Sequence, residues 1–109
     1  MKDNGGHGAR ESFAIAADGE RWTCSGPLTF ANAAQAFIAA AALPLPASGE
    51  MAFDGLTAVD SAAVAVLLGL KRRGMEEGAA LHFTGMPRTL HALATVYDVD
   101  GMLADDARG

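Results

Sequence analysis

The apolar residues of this chain change their spacing along the sequence, and this change constrains the fold more than any other feature. Alternate positions are apolar in residues 12–17 and again in residues 20–25, around Trp22. Alternation with a period of two is typical of strands that bury one face. The Asp18-Gly19 pair between them is a turn signal, so the sequence predicts a β-hairpin.

Helical spacing follows the hairpin. We expect Gly26-Pro27 to end the second strand and Thr29 to cap a helix over residues 30–42. An amphipathic helix turns its apolar stripe toward the core, and the stripe here comprises Phe30, Ala33, Ala34, Phe37, Ile38 and Ala41. Residues 43–46 contain two prolines and cannot continue the helix, because each proline removes a backbone donor and restricts the preceding residue.

Two further strand–helix pairs are predicted. Residues 50–54 form a short strand and residues 55–59 a loop, after which Asp60-Ser61 begins a helix that Gly78 ends. Residues 81–84 form the last strand. The last helix begins after a proline, and we expect its buried stripe to be Leu90, Leu93, Ala94 and Tyr97.

The complete order is β-β-α-β-α-β-α. This order predicts an α/β fold with a mixed four-stranded sheet, parallel in its later strands, and helices packed against it. A chain of 109 residues, half of them apolar, fits one domain. We place this domain at residues 12–104, after a Gly-rich lead-in over residues 1–11 that we expect to be disordered and before a charged tail over residues 105–109.

Charge and composition exclude several classes of function. The net charge of -5 disfavours binding to nucleic acid, and the one basic cluster, Lys71-Arg72-Arg73, is too short for a phosphate-binding surface. Cys24 is the single cysteine, and the three histidines lack the spacing of metal ligands. Neither of the usual glycine-rich phosphate-binding motifs occurs. We therefore expect no catalytic residue, no metal and no cofactor.

Membrane insertion is not expected either. The opening residues lack the apolar run of a secretory signal. The longest apolar stretches are interrupted well before the ~20 residues that a bilayer span requires. We therefore expect a cytoplasmic protein.

The helix that begins at Asp60 carries the most informative pattern. Its core-facing arc is predicted to be Val64, Leu67, Leu68 and Met75, with Ala63 and Leu70 at the edge. The other face is small or apolar before it becomes cationic, and we predict that it binds a partner; this docking stripe comprises Asp60, Ser61, Ala62, Ala65, Val66, Gly69, Arg72 and Arg73. Gly69 supports this interpretation, because a mid-helix glycine costs ~1 kcal/mol relative to alanine and requires a packing reason. The alternative is that the small residues reflect an alanine-rich composition.

Ser61 is a candidate switch. The first turn of a helix favours an anionic group, so a phosphate on Ser61 would be stabilised by the helix yet would place about two negative charges in the docking stripe. The alternative, that Asp60 or Ser61 simply caps the helix, is compatible with this role.

The order of elements, the turn at residues 26–29 and the Val59-Asp60-Ser61 entry to a Leu/Val-rich helix resemble the STAS domain. This family includes bacterial anti-anti-sigma factors and the small MlaB-like subunits of lipid-transport ABC systems. The resemblance implies a non-enzymatic subunit that docks on the ATPase of an ABC-type phospholipid transporter, at the cytoplasmic side of the inner membrane. The alternative that it implies is an anti-anti-sigma factor, in which a partner kinase phosphorylates Ser61. The Leu-x-x-Leu-Ala-x-x-Tyr stripe of the last helix favours the MlaB-like branch, and Ala62-Ala63 differs from the small-hydroxyl or glycine residues usual after the phosphorylated position.

Overall fold

The sheet has four strands in the order β1-β2-β3-β4. In this computed structural model, which describes residues 12–103, the strands are β1 (Ala14–Ala17), β2 (Arg21–Leu28), β3 (Glu50–Val59) and β4 (His82–Thr84). β1 and β2 form the predicted hairpin and are antiparallel, whereas β2, β3 and β4 are parallel. The predicted mixed sheet is therefore confirmed. The segments 1–11 and 105–109, predicted to be a lead-in and a tail, lie outside the described residues, as does the last residue of the predicted domain.

The helices are α1 (Ala33–Ala41), α2 (Ser61–Glu77), α3 (Arg88–Val96) and the short α4 (Asp100–Leu103). Because β2, β3 and β4 lie side by side in chain order, right-handed crossovers place α1 and α2 on the same face of the sheet. α2 is the central helix and contacts α1, α3 and α4. Helix α3 ends one residue before Tyr97, which is exposed, so the prediction that Tyr97 belongs to the buried stripe is wrong.

The core lies between the sheet and these helices. Trp22, Met51 and Phe83 are register partners on adjacent strands, and all three are buried. The rings of Phe53 and Phe83 make an edge-to-face contact at 5.3 Å. The next positions along the strands point to the opposite face of the sheet, where Arg21 forms an ion pair with Glu50 at 3.1 Å. One face of the sheet is thus apolar and covered by helices, and the other is polar.

Two strands are longer than the sequence predicted. β2 continues through Gly26-Pro27, and β3 includes the whole of residues 55–59, because these two segments pair with each other in parallel. The register shifts between Gly26 and Pro27, where the missing proline N–H is tolerated in an irregular ladder. The expectations of a strand end at Gly26 and of a loop over residues 55–59 are therefore wrong.

Gly74 allows α2 to approach the segment that leads into β4. A Cβ added at Gly74 would lie 2.8 Å from two side-chain atoms of Leu81. We expect Gly74→Ala to lower the free energy of unfolding by about 1–3 kcal/mol, because overpacking outweighs the helix propensity gained. Gly101→Ala is the matched control, since nothing lies within 4 Å of a Cβ there. Equal urea midpoints for the two variants would contradict this packing.

Candidate docking site between helices α1 and α2

The first turn of α2 is organised by the carboxylate of Asp60. One oxygen, Oδ1, accepts a hydrogen bond from the backbone N–H of Ala62 at 2.8 Å and caps the helix. The other oxygen, Oδ2, accepts from the backbone N–H of Phe30 at 3.0 Å. The predicted helix over residues 61–77 and its glycine end are confirmed, since Gly78 adopts a left-handed conformation with φ 73°. A single side chain thus caps α2 and holds the loop that precedes α1.

An open apolar groove runs between α1 and α2, with a volume of about 460 Å³. It is lined by Phe30, Ala33, Ala34, Phe37, Ala62, Ala65 and Val66. Phe30 is 74% exposed and Phe37 is 40% exposed, so two aromatic rings remain in contact with water along the α1 side. Exposed aromatic side chains beside small residues are typical of surfaces that bind other proteins. We call this feature the α1–α2 groove.

The docking stripe predicted on α2 is only partly open. The structure brings most of its residues to the side of α2 that faces α1, where Ala62 and Val66 are buried. The buried arc of α2 is therefore rotated toward α1 relative to the prediction, and Met75, at its far edge, is exposed rather than buried. The expectation of a continuous exposed stripe is wrong for Ala62 and Val66.

The remaining stripe residues differ in their surroundings. Ala65 and Arg72 are exposed, whereas Asp60 and Ser61 are half-buried. Gly69 and Arg73 are also half-buried, and both interact with α1 or with the chain just after it. Binding of a partner by these residues stays a prediction.

A close packing contact explains the glycine at position 69 in the middle of α2. The contact is made by Phe37 of the same chain and not by a partner. A Cβ added at Gly69 would lie 2.7 Å from Cε1 of Phe37. The glycine therefore leaves room for the Phe37 ring on the surface of α2. Since this ring lines the α1–α2 groove, Gly69 affects the shape of the groove through the position of Phe37.

Helix α1 presents the residues that the sequence interpretation missed. The helix begins after Asn32 instead of Thr29, and it turns Ala36 and Ala40 inward. The large residues of the stripe predicted to face the core point outward, with Phe30 and Ile38 mainly exposed. The sequence carried one signal of this arrangement, because no charged residue occurs between Arg21 and Glu50. A surface helix normally has a charged face, so an uncharged exposed helix indicates a surface that something covers.

The family model described as Mlab, STAS domain matches residues 13–104. The chain belongs to the STAS domain family. Members of this family are regulatory and binding proteins that act through protein–protein interactions. No curated protein matches this STAS domain.

A solved structure supports the fold of this STAS domain. That structure is the anti-sigma factor antagonist SpoIIAA in its unphosphorylated form, to which this chain is similar with a TM-score of 0.63 and 17% sequence identity. The match covers 83% of this chain and 84% of SpoIIAA. At this identity the likeness shows the fold that the two chains share.

The single cysteine of the STAS domain, Cys24, is buried. Burial raises the pKa of the Cys24 thiol to about 12, so the reactive thiolate is disfavoured at neutral pH. Across the described range, no three His, Cys, Asp or Glu side chains are grouped so that they could hold a metal ion. In that same range, no helix has the length and apolar character needed to cross a membrane.

Proposed function

We propose that this STAS domain is a non-enzymatic subunit that docks on the ATPase of an ABC-type phospholipid transporter of the Mla kind. The observation that carries the proposal is the α1–α2 groove, an apolar surface beside the helix start that Asp60 caps. The family match to Mlab, STAS domain is consistent with this partner. Through the ATPase, the domain would sit at the cytoplasmic side of the inner membrane.

The groove can supply the binding energy that such a complex requires. Full burial of an exposed phenylalanine contributes about 1.5–3 kcal/mol, and the groove offers Phe30 from the loop before α1 and Phe37 from α1. Aromatic residues near the centre of an interface commonly dominate its affinity. Ala65 lies opposite them on α2, where its small side chain allows a partner backbone to come close. Arg72, exposed farther along α2, would remain at the rim of the interface.

A second candidate function is that of an anti-sigma factor antagonist switched by phosphorylation of Ser61. Two observations favour it: the shared fold with SpoIIAA, and the position of Ser61 as the first residue of α2. A phosphate there would interact favourably with the helix dipole but would lie next to the Asp60 carboxylate. The added charge would also stand at one end of the α1–α2 groove and oppose docking.

One experiment separates the two functions. The purified chain is mixed in parallel with the purified transporter ATPase and with the sigma-inhibiting kinase and ATP. A stable complex with the ATPase and no incorporation of phosphate supports the transporter function. Labelling by the kinase that disappears in Ser61→Ala supports the switching function, and equal labelling of Ser61→Ala would contradict that site.

A further inference from the structure

Helix α1 is short, and its local anchor is Asn32, whose side chain accepts from the N–H of Thr29 at 3.0 Å and donates to the carbonyl oxygen of Pro27 at 2.9 Å. The helix has nine residues, fewer than the ~12–15 that an isolated helix needs for stability. Within the described chain, no side chain caps its first turn, and neither end carries a charge that complements the helix dipole. The prolines at positions 44 and 46 prevent any extension. Its position must therefore depend on contacts with the rest of the fold.

Two charged side chains supply such contacts: Asp60, the residue just before α2, and Arg73, one turn before its end. Near the N-terminal end of α1, Asp60 accepts the hydrogen bond from the N–H of Phe30. At the C-terminal end, Arg73 donates from Nη1 to the carbonyl oxygen of Ala40 at 3.1 Å and from Nη2 to that of Leu43 at 2.7 Å. The carboxylate lies toward the positive end of the α1 dipole and the guanidinium toward the negative end, so both charges have the favourable sign.

Glu77 orients the guanidinium of Arg73. Its Nε donates to the Glu77 carboxylate at 2.7 Å, one turn farther along α2. The planar fork of an arginine can make these three bonds at once, which an ammonium group could not reproduce with the same geometry. Arg73 therefore hydrogen-bonds to other residues of the domain, although the sequence analysis placed it in the docking stripe.

We infer that Asp60 and Arg73 form a two-point clamp that positions α1 and thereby sets the wall of the α1–α2 groove. Both are positioning residues: they fix Phe30 and Phe37, which would touch the partner, through the backbone at the two ends of α1. The consequence for binding rests on the proposed function, whereas the clamp itself does not. Arg72, the neighbouring exposed arginine, has no such part.

Amide hydrogen exchange of the purified chain tests the clamp without a partner. In Asp60→Asn, asparagine can still cap α2, but its single oxygen can satisfy only one of the two N–H groups. We expect the Phe30 amide to exchange at least about tenfold faster in this variant. In Arg73→Gln the last turn of α1 should be affected similarly, and Arg73→Lys should restore part of the protection. Arg72→Gln removes the same charge from the adjacent position and should leave α1 unchanged.

The pattern of exchange decides the outcome. Faster exchange confined to α1 and its preceding loop, with the amides of β2 and β3 unchanged, supports the clamp. Unchanged α1 amides in both Asp60→Asn and Arg73→Gln, or uniform acceleration throughout the chain, would overturn it.

Affinity for the transporter ATPase tests the positioning role. We expect Asp60→Asn and Arg73→Gln each to weaken binding about tenfold, while Arg88→Gln, an exposed charge on α3, binds normally. If both clamp variants bind normally while Ala65→Arg abolishes binding, the positioning role is refuted and docking through the groove stands. Normal binding by Ala65→Arg would instead refute the proposed docking site. Hydrogen exchange would then be the measurement that tests whether the clamp exists.

Discussion

Replacing Ala65 by arginine is expected to weaken binding of the partner by at least about a hundredfold, equivalent to ~2.7 kcal/mol. Ala65 is exposed on α2 and lines the α1–α2 groove opposite the two phenylalanines. An arginine there would either hold the partner away from the groove or bury a charge without a counter-ion, and both outcomes cost affinity. The domain itself should keep its stability, because the site faces water in the free protein.

The measurement is a titration of the ATPase by calorimetry, with the unfolding midpoint recorded for the same samples. Ala92→Arg serves as the matched control, since Ala92 is exposed on α3 and does not line the groove. If the Ala65 and Ala92 variants bind equally well, the partner does not use this groove.

Replacing phenylalanine by alanine should lower stability at Phe53 and partner binding at Phe30. Phe53 is fully buried and contacts Phe83, so Phe53→Ala should lower the free energy of unfolding by about 3–5 kcal/mol. That loss is a large share of the 5–15 kcal/mol typical of a domain of this kind. Phe30 is mainly exposed, so Phe30→Ala should change stability by less than about 0.5 kcal/mol while weakening partner binding about tenfold or more.

Urea unfolding and the ATPase titration, applied to both variants, measure this contrast. A stable Phe53→Ala domain would show that the core is packed differently from the structure. An unchanged affinity in Phe30→Ala would show that the exposed ring contributes nothing to docking.

Local signals in the sequence were sufficient for much of the fold. Alternation of apolar residues predicted the hairpin, and the Asp60 cap with the Gly78 end predicted α2, because both features depend on neighbouring residues. The ends of β2 and β3 could not be predicted in this way. Gly26-Pro27 is a local turn signal, but a parallel ladder between segments thirty residues apart overrides it.

The orientation of α1 illustrates a different limit. Helical spacing identifies a stripe, yet α1 is apolar except for Gln35, so the pattern does not say which of its apolar sides faces the core. The alanines permit a closer approach to the sheet and α2 than the phenylalanines would, and Ala36 and Ala40 are the buried residues. The phenylalanines consequently face water, and half of the candidate site lies on a helix whose stripe was assigned to the core.

The sequence predicted one role of Asp60 but none of the contacts that Arg73 makes. Asp60 was recognisable as a helix cap, but its bond to Phe30 joins residues that only the tertiary fold brings together. Arg73 belonged to a basic cluster at a helix end, which is typical of a solvated surface. Its bonds to Ala40 and Leu43 follow from the packing of α1 against α2, and no local pattern indicates them.

Site-specific photo-crosslinking in cells tests docking through the α1–α2 groove most directly. A photoreactive phenylalanine analogue is placed at Phe30 in one variant and, as control, at Thr23 on the polar face of the sheet in another. We predict that position 30 forms a covalent product with the transporter ATPase and that position 23 does not. A product from position 23 and none from position 30 would contradict docking through the groove.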